Sequence, residues 1–229
     1  IFFSLKNFNK AYLSDYNSEL INCYKQVKEN PKEVFDLLKK LPQNKESYYE
    51  IRDANYDSKI KMACRFIYLN KTSFNGIYRV NSKGKYNVPF GNRKFNLDII
   101  EKSIFSCSNQ LKKAQLNSGD FQNVIYKVKE NDLVYLDPPY TITHNNNGFI
   151  EYNEKLFSFS DQVRLSTLIS DIREKNAYYI LSNAHHPDVK KIYDKFDDNV
   201  IELDRWSNIS AKTESRENYK EFLFTNIKH

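Results

Sequence analysis

The sequence predicts an α/β protein whose mostly parallel sheet is covered on both faces, with a basic hairpin-bearing segment of different texture set within it. Past Lys94, short apolar runs alternate with helical patterns, the rhythm of strand–helix–strand units. Three acids, Asp15, Asp120 and Asp137, each fall just after a predicted strand, where the loops of an open α/β sheet gather ligands. Between Ser58 and Leu97 there is no Asp or Glu, yet nine Lys and Arg residues occur.

In order along the chain, a short strand ends at Asp15. A helix follows, begun by Asn17 or Ser18, with Leu20, Ile21, Tyr24 and Val27 at helical spacing. "NPKEVFDLLKKL" predicts a second helix, with Asn30 as N-cap and Pro31 in its first turn. Ile60, Ala63, Cys64, Ile67 and Tyr68 mark an amphipathic helix over 58–70. "GIYRVNSKGKYNVPFG" predicts two short strands around Ser82-Lys83-Gly84, a basic hairpin with aromatic arms. A helix over 97–106 then leads to a strand near 114–118 that ends in "SGDF". Further strands are predicted at 133–136, 177–182, 199–203 and 221–226, with helices at 160–174 and 187–195.

At 229 residues, 40% hydrophobic and 15% aromatic, the chain can bury a core and is not disordered. It has no apolar run long enough to span a membrane, and "IFFSL" is too short for a secretory signal. Cys23, Cys64 and Cys107 are far apart with no CxxC pair, so neither a zinc site nor a disulfide framework is expected; a reducing cytoplasm fits. His185 and His186 are adjacent and read as solvated loop residues before Pro187; no metal is expected. The net charge is +6, so the nine basic charges of the acid-free segment leave −3 for the rest. The surplus is local, the footprint expected of a polyanion-binding surface.

"LVYLDPPYTI" is the most informative stretch. Val134, Tyr135 and Leu136 end a buried strand, Asp137 leaves it, and Pro138-Pro139 forbid helix and further ladder pairing alike. A turn needs only one proline. This one is stiffened around its carboxylate.

"LDPPY" after a basic hairpin and "SGDF" resembles the Dam-type DNA adenine-N6 methyltransferases, the DpnM-like branch of the D12 class especially. "LSDYNSELINCYKQVKENP", "FNGIYRVNSKGKYNVPFG", "FIEYNEKLFSFSDQVRL" and "YILSN" fall in that family's order, so the resemblance covers nearly the whole chain. It implies a Rossmann-like sheet that uses S-adenosylmethionine, with an inserted, mainly helical target-recognition domain bearing the hairpin. By that likeness residues 1–30 and 97–229 form the catalytic domain and 31–96 the recognition domain. The family also has a glycine-rich cofactor loop just before the segment resembling "IFFSL", whereas the first glycine here is Gly76. The natural N-terminus is therefore expected to precede Ile1.

The implied chemistry explains the stiffened turn. An exocyclic adenine amine is a poor nucleophile because its lone pair is delocalised into the ring. Asp137 and the carbonyl of Pro138, fixed by Pro139, would grip its two N–H groups, and Tyr140 would stack on the base after it leaves the duplex. By resemblance Asp15 binds the cofactor ribose, Asp120 and Phe121 meet its adenine, and Asp137 borders the cofactor as well as the base. On the DNA side, Arg79 matches the residue directed at the guanine of GATC, and Phe74 and Asn75 match an intercalating aromatic and its polar neighbour. Lys71, Lys85, Asn87, Arg93 and Lys94 complete the expected DNA contacts. The expected partner is double-stranded DNA, bound by a monomer, with a cognate restriction endonuclease as a possible companion in the same system. The rival readings are an RNA or protein-amide N-methyltransferase, whose first motif residue is typically Asn, and a non-catalytic DNA-binding module.

Overall fold

A computed structural model describes residues 1–139, 157–196, 198–206 and 218–228. The chain forms two compact units, Ile1–Phe121 and Gln122–His229.

In the first unit, β1 (Ala11–Asp15) and β2 (Ala114–Ser118) form a parallel pair in which Asp15 lies opposite Ser118. Five helices complete this unit. α1 (Ser18–Glu29) starts where the Asn17 side chain accepts from the Glu19 and Leu20 amides, as its residue type favours. α2 (Pro31–Leu38) has proline in its first turn, but Asn30 does not cap it with its side chain. The Asn30 amide instead donates to Gln26 Oε1 at 3.2 Å, a bond made backward along α1. α3 (Lys45–Asp53) was not foreseen; the Asn44 side chain caps it through the Ser47 amide. α4 (Lys59–Thr72) and α5 (Leu97–Leu111) extend past their expected ends, and Asn96 caps α5.

α1 packs on α4 and α5, and α2 packs on the same two helices. Val34, Leu38, Tyr48, Ala63, Tyr68 and Leu111 are fully buried there, in one core with Cys23 and Ala114. Each such large apolar side chain contributes about 1.5–3 kcal/mol relative to exposure. The helices of 31–96 therefore share their core with the flanking α1 and α5.

The predicted hairpin is a sparser ribbon than expected. Val80–Tyr86 and Ser73–Phe90 are isolated antiparallel bridges, and among the described residues neither arm forms a regular strand. The turn is nevertheless closed. Asn81 accepts through its side chain from the Lys83 and Lys85 amides, and its own amide donates to the Lys85 carbonyl at 2.8 Å. Gly84 supplies the positive φ of 72° that such a turn requires.

In the second unit the strand order is β3-β4-β6-β5, from β3 (Leu133–Leu136), β4 (Tyr178–Ala184), β5 (Asn199–Trp206) and β6 (Asn218–Thr225). β3 and β4 are parallel, whereas β6 runs antiparallel to both its neighbours. The sheet is thus mixed, not mostly parallel. Only residues 207–217 separate β5 from β6, and neighbouring strands joined so briefly pair antiparallel more readily than through a crossover. α6 (Phe159–Glu174) opens with a Ser158–Asp161 capping box and α7 (Pro187–Tyr193) with Pro187. Leu168, Ile169 and Ile172 of α6 are buried, as are Tyr179 and Leu181 of β4 and Phe224 of β6.

Candidate active site and DNA interface

The parallel register of β1 and β2 brings three predicted cofactor residues to one place. Asp15 ends β1 exposed, and its Oδ1 accepts from the Asn17 amide at 2.7 Å. Asn17 in turn caps α1, so the carboxylate is fixed beside a helix N-terminus, where the helix dipole favours an anion. From the end of β2, the Gly119 amide donates to the Asp15 carbonyl at 3.1 Å. That bond ties the two strand ends together and sets Asp120 and Phe121, both half-buried, immediately beyond. Phe121 opens a 3-10 turn running to Tyr126.

Asp137 lies in the second unit, one residue past β3. The β3–β4 ladder closes at Leu136–Leu181, and Pro138 and Pro139 have no amide hydrogen with which to extend it. Asp137 and Pro139 are exposed, with Pro138 half-buried between them. Tyr140 lies outside the described residues. The carboxyl end of β4 is held by a buried polar cluster that sequence reasoning missed. Gln162 Oε1 accepts from Asn183 Nδ2 at 3.0 Å and from the Tyr193 hydroxyl at 2.6 Å, joining β4 to α6 and α7. Burial pushes the Tyr193 hydroxyl well above the usual tyrosine range, so it stays a donor at any working pH.

The remaining candidates fall on the first unit, around the ribbon. Lys71 is exposed in the last turn of α4. Phe74 and Asn75 follow in a tight 3-10 turn. Phe74 is 42% exposed, and Asn75 is held at a positive φ of 53°. This turn lies against the ribbon's return arm, through Phe74 N–H to Pro89 O at 2.9 Å and Gly91 N–H to Thr72 O at 2.8 Å. Arg79 and Asn87 face each other across the ribbon. Arg79 Nε donates to Asn87 Oδ1 at 2.8 Å, Nη2 reaches the Asn87 carbonyl at 3.4 Å, and the Asn87 amide donates to the Arg79 carbonyl at 3.1 Å. Lys85, Arg93 and Lys94 are exposed.

Of two buried tyrosines, Tyr48 of α3 docks the ribbon on the helices, and Tyr86 of the ribbon's return arm ties it to the segment entering the first arm. Tyr48 donates to the Val88 carbonyl at 2.8 Å, and Tyr86 donates to the Ile77 carbonyl at 2.7 Å. Their spacing in the sequence carries no sign of these roles. One member of the basic block is structural. Arg65 donates through Nε and Nη2 to the carbonyls of Ile51 and Arg52, satisfying the otherwise orphaned end of α3. Among the described residues no group of three or more His, Cys, Asp or Glu could hold a metal, and no helix is long and apolar enough to cross a membrane.

Residues 1–209 match the model of the D12 class of N6 adenine-specific DNA methyltransferases. Type II methyltransferase M1.LlaDCHI of Lactococcus lactis subsp. cremoris is 36% identical over 99% of this chain and 82% of its own length. Type II methyltransferase M.MjaIII of Methanocaldococcus jannaschii is 33% identical over 88% of this chain and 75% of its own. The DNA adenine methylase of Vibrio cholerae serotype O1 is 27% identical over 95% and 80%.

Proposed function

Because this chain belongs to the D12 class of N6 adenine-specific DNA methyltransferases, we propose that it methylates adenine N6 within GATC in duplex DNA, after flipping the adenine out of the helix. The observation that carries the reading is Asp137, exposed one residue beyond β3 and followed by two prolines that fix the backbone.

Membership of this class implies S-adenosylmethionine as the methyl source. The first unit fits it: an ionised carboxylate only accepts hydrogen bonds and a ribose diol donates two, and Asp15 is an exposed carboxylate fixed at a strand end. Asp15 would hold the ribose, and Asp120 with Phe121 the adenine ring. The cofactor's sulfonium supplies an already activated methyl group, so what the protein adds is positioning.

Asp137 and the Pro138 carbonyl accept from the two N–H groups of the target amine, making the nitrogen more tetrahedral and its lone pair available. Pro139 keeps that carbonyl in place, and Tyr140 stacks on the extruded base. Residues 31–96 act as the target-recognition domain, with 1–30 and 97–229 as the catalytic one. Lys71, Lys85, Arg93 and Lys94 bind phosphates, Arg79 reads guanine in the major groove, and Phe74 with Asn75 fills the gap left by the flipped adenine. We read the protein as a monomer on duplex DNA, and the type II methyltransferases among its relatives support a cognate restriction endonuclease as a possible companion in the same system.

The test is methyl transfer from labelled S-adenosylmethionine to duplexes carrying GATC or a permutation of it, followed by nucleoside digestion. N6-methyladenine confined to GATC is expected. Label appearing only in RNA or in a protein amide, or equal labelling of permuted duplexes, would overturn the reading.

A further inference from the structure

We propose that Asn87 is a specificity-determining positioning residue, which acts by holding the Arg79 guanidinium as a preformed fork for guanine. The proposal rests on the reading of Arg79 given above and deepens it. A guanidinium has five N–H donors, one on Nε and two on each terminal nitrogen. Asn87 occupies the inner edge of the group, accepting from Nε through its side chain at 2.8 Å and from Nη2 through its carbonyl at 3.4 Å. The outward edge, shared by the two terminal nitrogens, keeps two parallel donors. Two donors are what the O6 and N7 acceptors of guanine require.

Arg79 is itself exposed, on a ribbon whose arms meet at isolated bridges, so nothing in regular secondary structure orders it. Asn87 is half-buried and well anchored. Its amide donates to the Arg79 carbonyl, and the next residue, Val88, accepts from the buried Tyr48 hydroxyl. The order of the helical core therefore reaches the guanidinium through Asn87. Fixing a rotamer-rich side chain before binding removes an ordering cost that otherwise falls when the contact forms. Only a site that uses the Arg79 fork gains from this. Losing Asn87 therefore weakens the correct site, which uses both donors in parallel, more than a site that can engage only one, which lowers discrimination.

The experiment compares kcat/KM on a GATC duplex with that on the same duplex carrying 7-deazaguanine, which lacks the N7 acceptor. Four forms of the full chain are used: unaltered, Arg79→Ala, Asn87→Ala and the double variant. Arg79→Ala is expected to bring the ratio near one. Asn87→Ala is expected to lower it about 2- to 12-fold, the range that ordering one such side chain carries. The double variant should match Arg79→Ala. Asn87→Asp keeps the acceptor and should restore the ratio, even where its added negative charge weakens overall binding. The salt dependence of binding should not move in Asn87→Ala, because no phosphate contact is lost; a collapsed ribbon would change it. If Arg79→Ala erases the preference while Asn87→Ala preserves it in full, the inference fails and the reading of Arg79 stands. If Arg79→Ala keeps the preference, the reading of Arg79 falls and takes the inference with it.

Discussion

Gly91→Ala tests how tightly the loops proposed to face DNA are built. A Cβ at Gly91 would lie 2.4 Å from the Ser73 carbonyl oxygen, 2.6 Å from its carbon and 2.7 Å from the Phe74 nitrogen. All three are backbone atoms of a buried segment, so no side chain can swing aside; Ser73 has no exposed surface at all. Real Cβ contacts stay above 3.0 Å, so the segments must part by at least about 0.6 Å. That opens the two bonds that join them, Gly91 N–H to Thr72 O at 2.8 Å and Phe74 N–H to Pro89 O at 2.9 Å. Overpacking of this kind costs about 1–3 kcal/mol, and each hydrogen bond about 0.5–1.5 kcal/mol more. Alanine's lower unfolded-state entropy returns about 0.4–1 kcal/mol, since Gly91 does not occupy a positive φ. The expected loss is therefore about 1–6 kcal/mol, read by urea unfolding followed by circular dichroism. DNA affinity should fall as well, because Phe74 and Asn75 move with the turn. A loss below about 0.5 kcal/mol would show that the loops do not cross at this distance.

Two further perturbations separate the charges and the core. Replacing Lys71, Lys85 and Lys94 with glutamine should reduce the slope of log affinity against log salt by about 2.7, if each lysine neutralises one phosphate; an unchanged slope would make them solvated surface. Burial pushes the Cys23 and Cys64 thiols up to about 12 from 9.0, so the folded state keeps protons there that the unfolded state releases. Stability should therefore fall as pH rises from about 9 towards 12, and Cys23→Ala should flatten that fall. An identical alkaline profile for Cys23→Ala would contradict the burial.

The parts legible in the sequence were those with a local physical cause. Asn17, Pro31 and Pro187 mark helix starts because capping and proline geometry act within one turn, and the apolar runs read at 133–136 and 177–182 are strands whichever neighbours they find, the second running on to Ala184. The acids at the ends of β1 and β3 were legible for the same reason. What escaped depends on distant partners. α3 buries only Tyr48 and Ile51 of nine otherwise polar or half-buried residues, too few for a helical stripe, although Asn44 three residues before Ser47 was a usable start signal. The antiparallel course of β6 is set by pairing with β4 and β5, which no residue of its own specifies. Arg65 reads as one more charge in a basic run, and only its bonds to the end of α3 mark it as structural. The Gln162–Asn183–Tyr193 cluster unites three elements far apart in the chain, and uncharged polar residues carry no pattern that predicts such a meeting.

The most direct test of the central claim is single-turnover methyl transfer by Asp137→Ala, with cofactor and GATC duplex saturating and DNA binding measured in parallel. Removing one preorganised partner of the reacting group should slow transfer by about 10²–10³-fold or more. Binding should remain, since the lost carboxylate contacts no phosphate. Near-normal transfer by Asp137→Ala would contradict the account, because the amine would then need no acceptor at the end of β3.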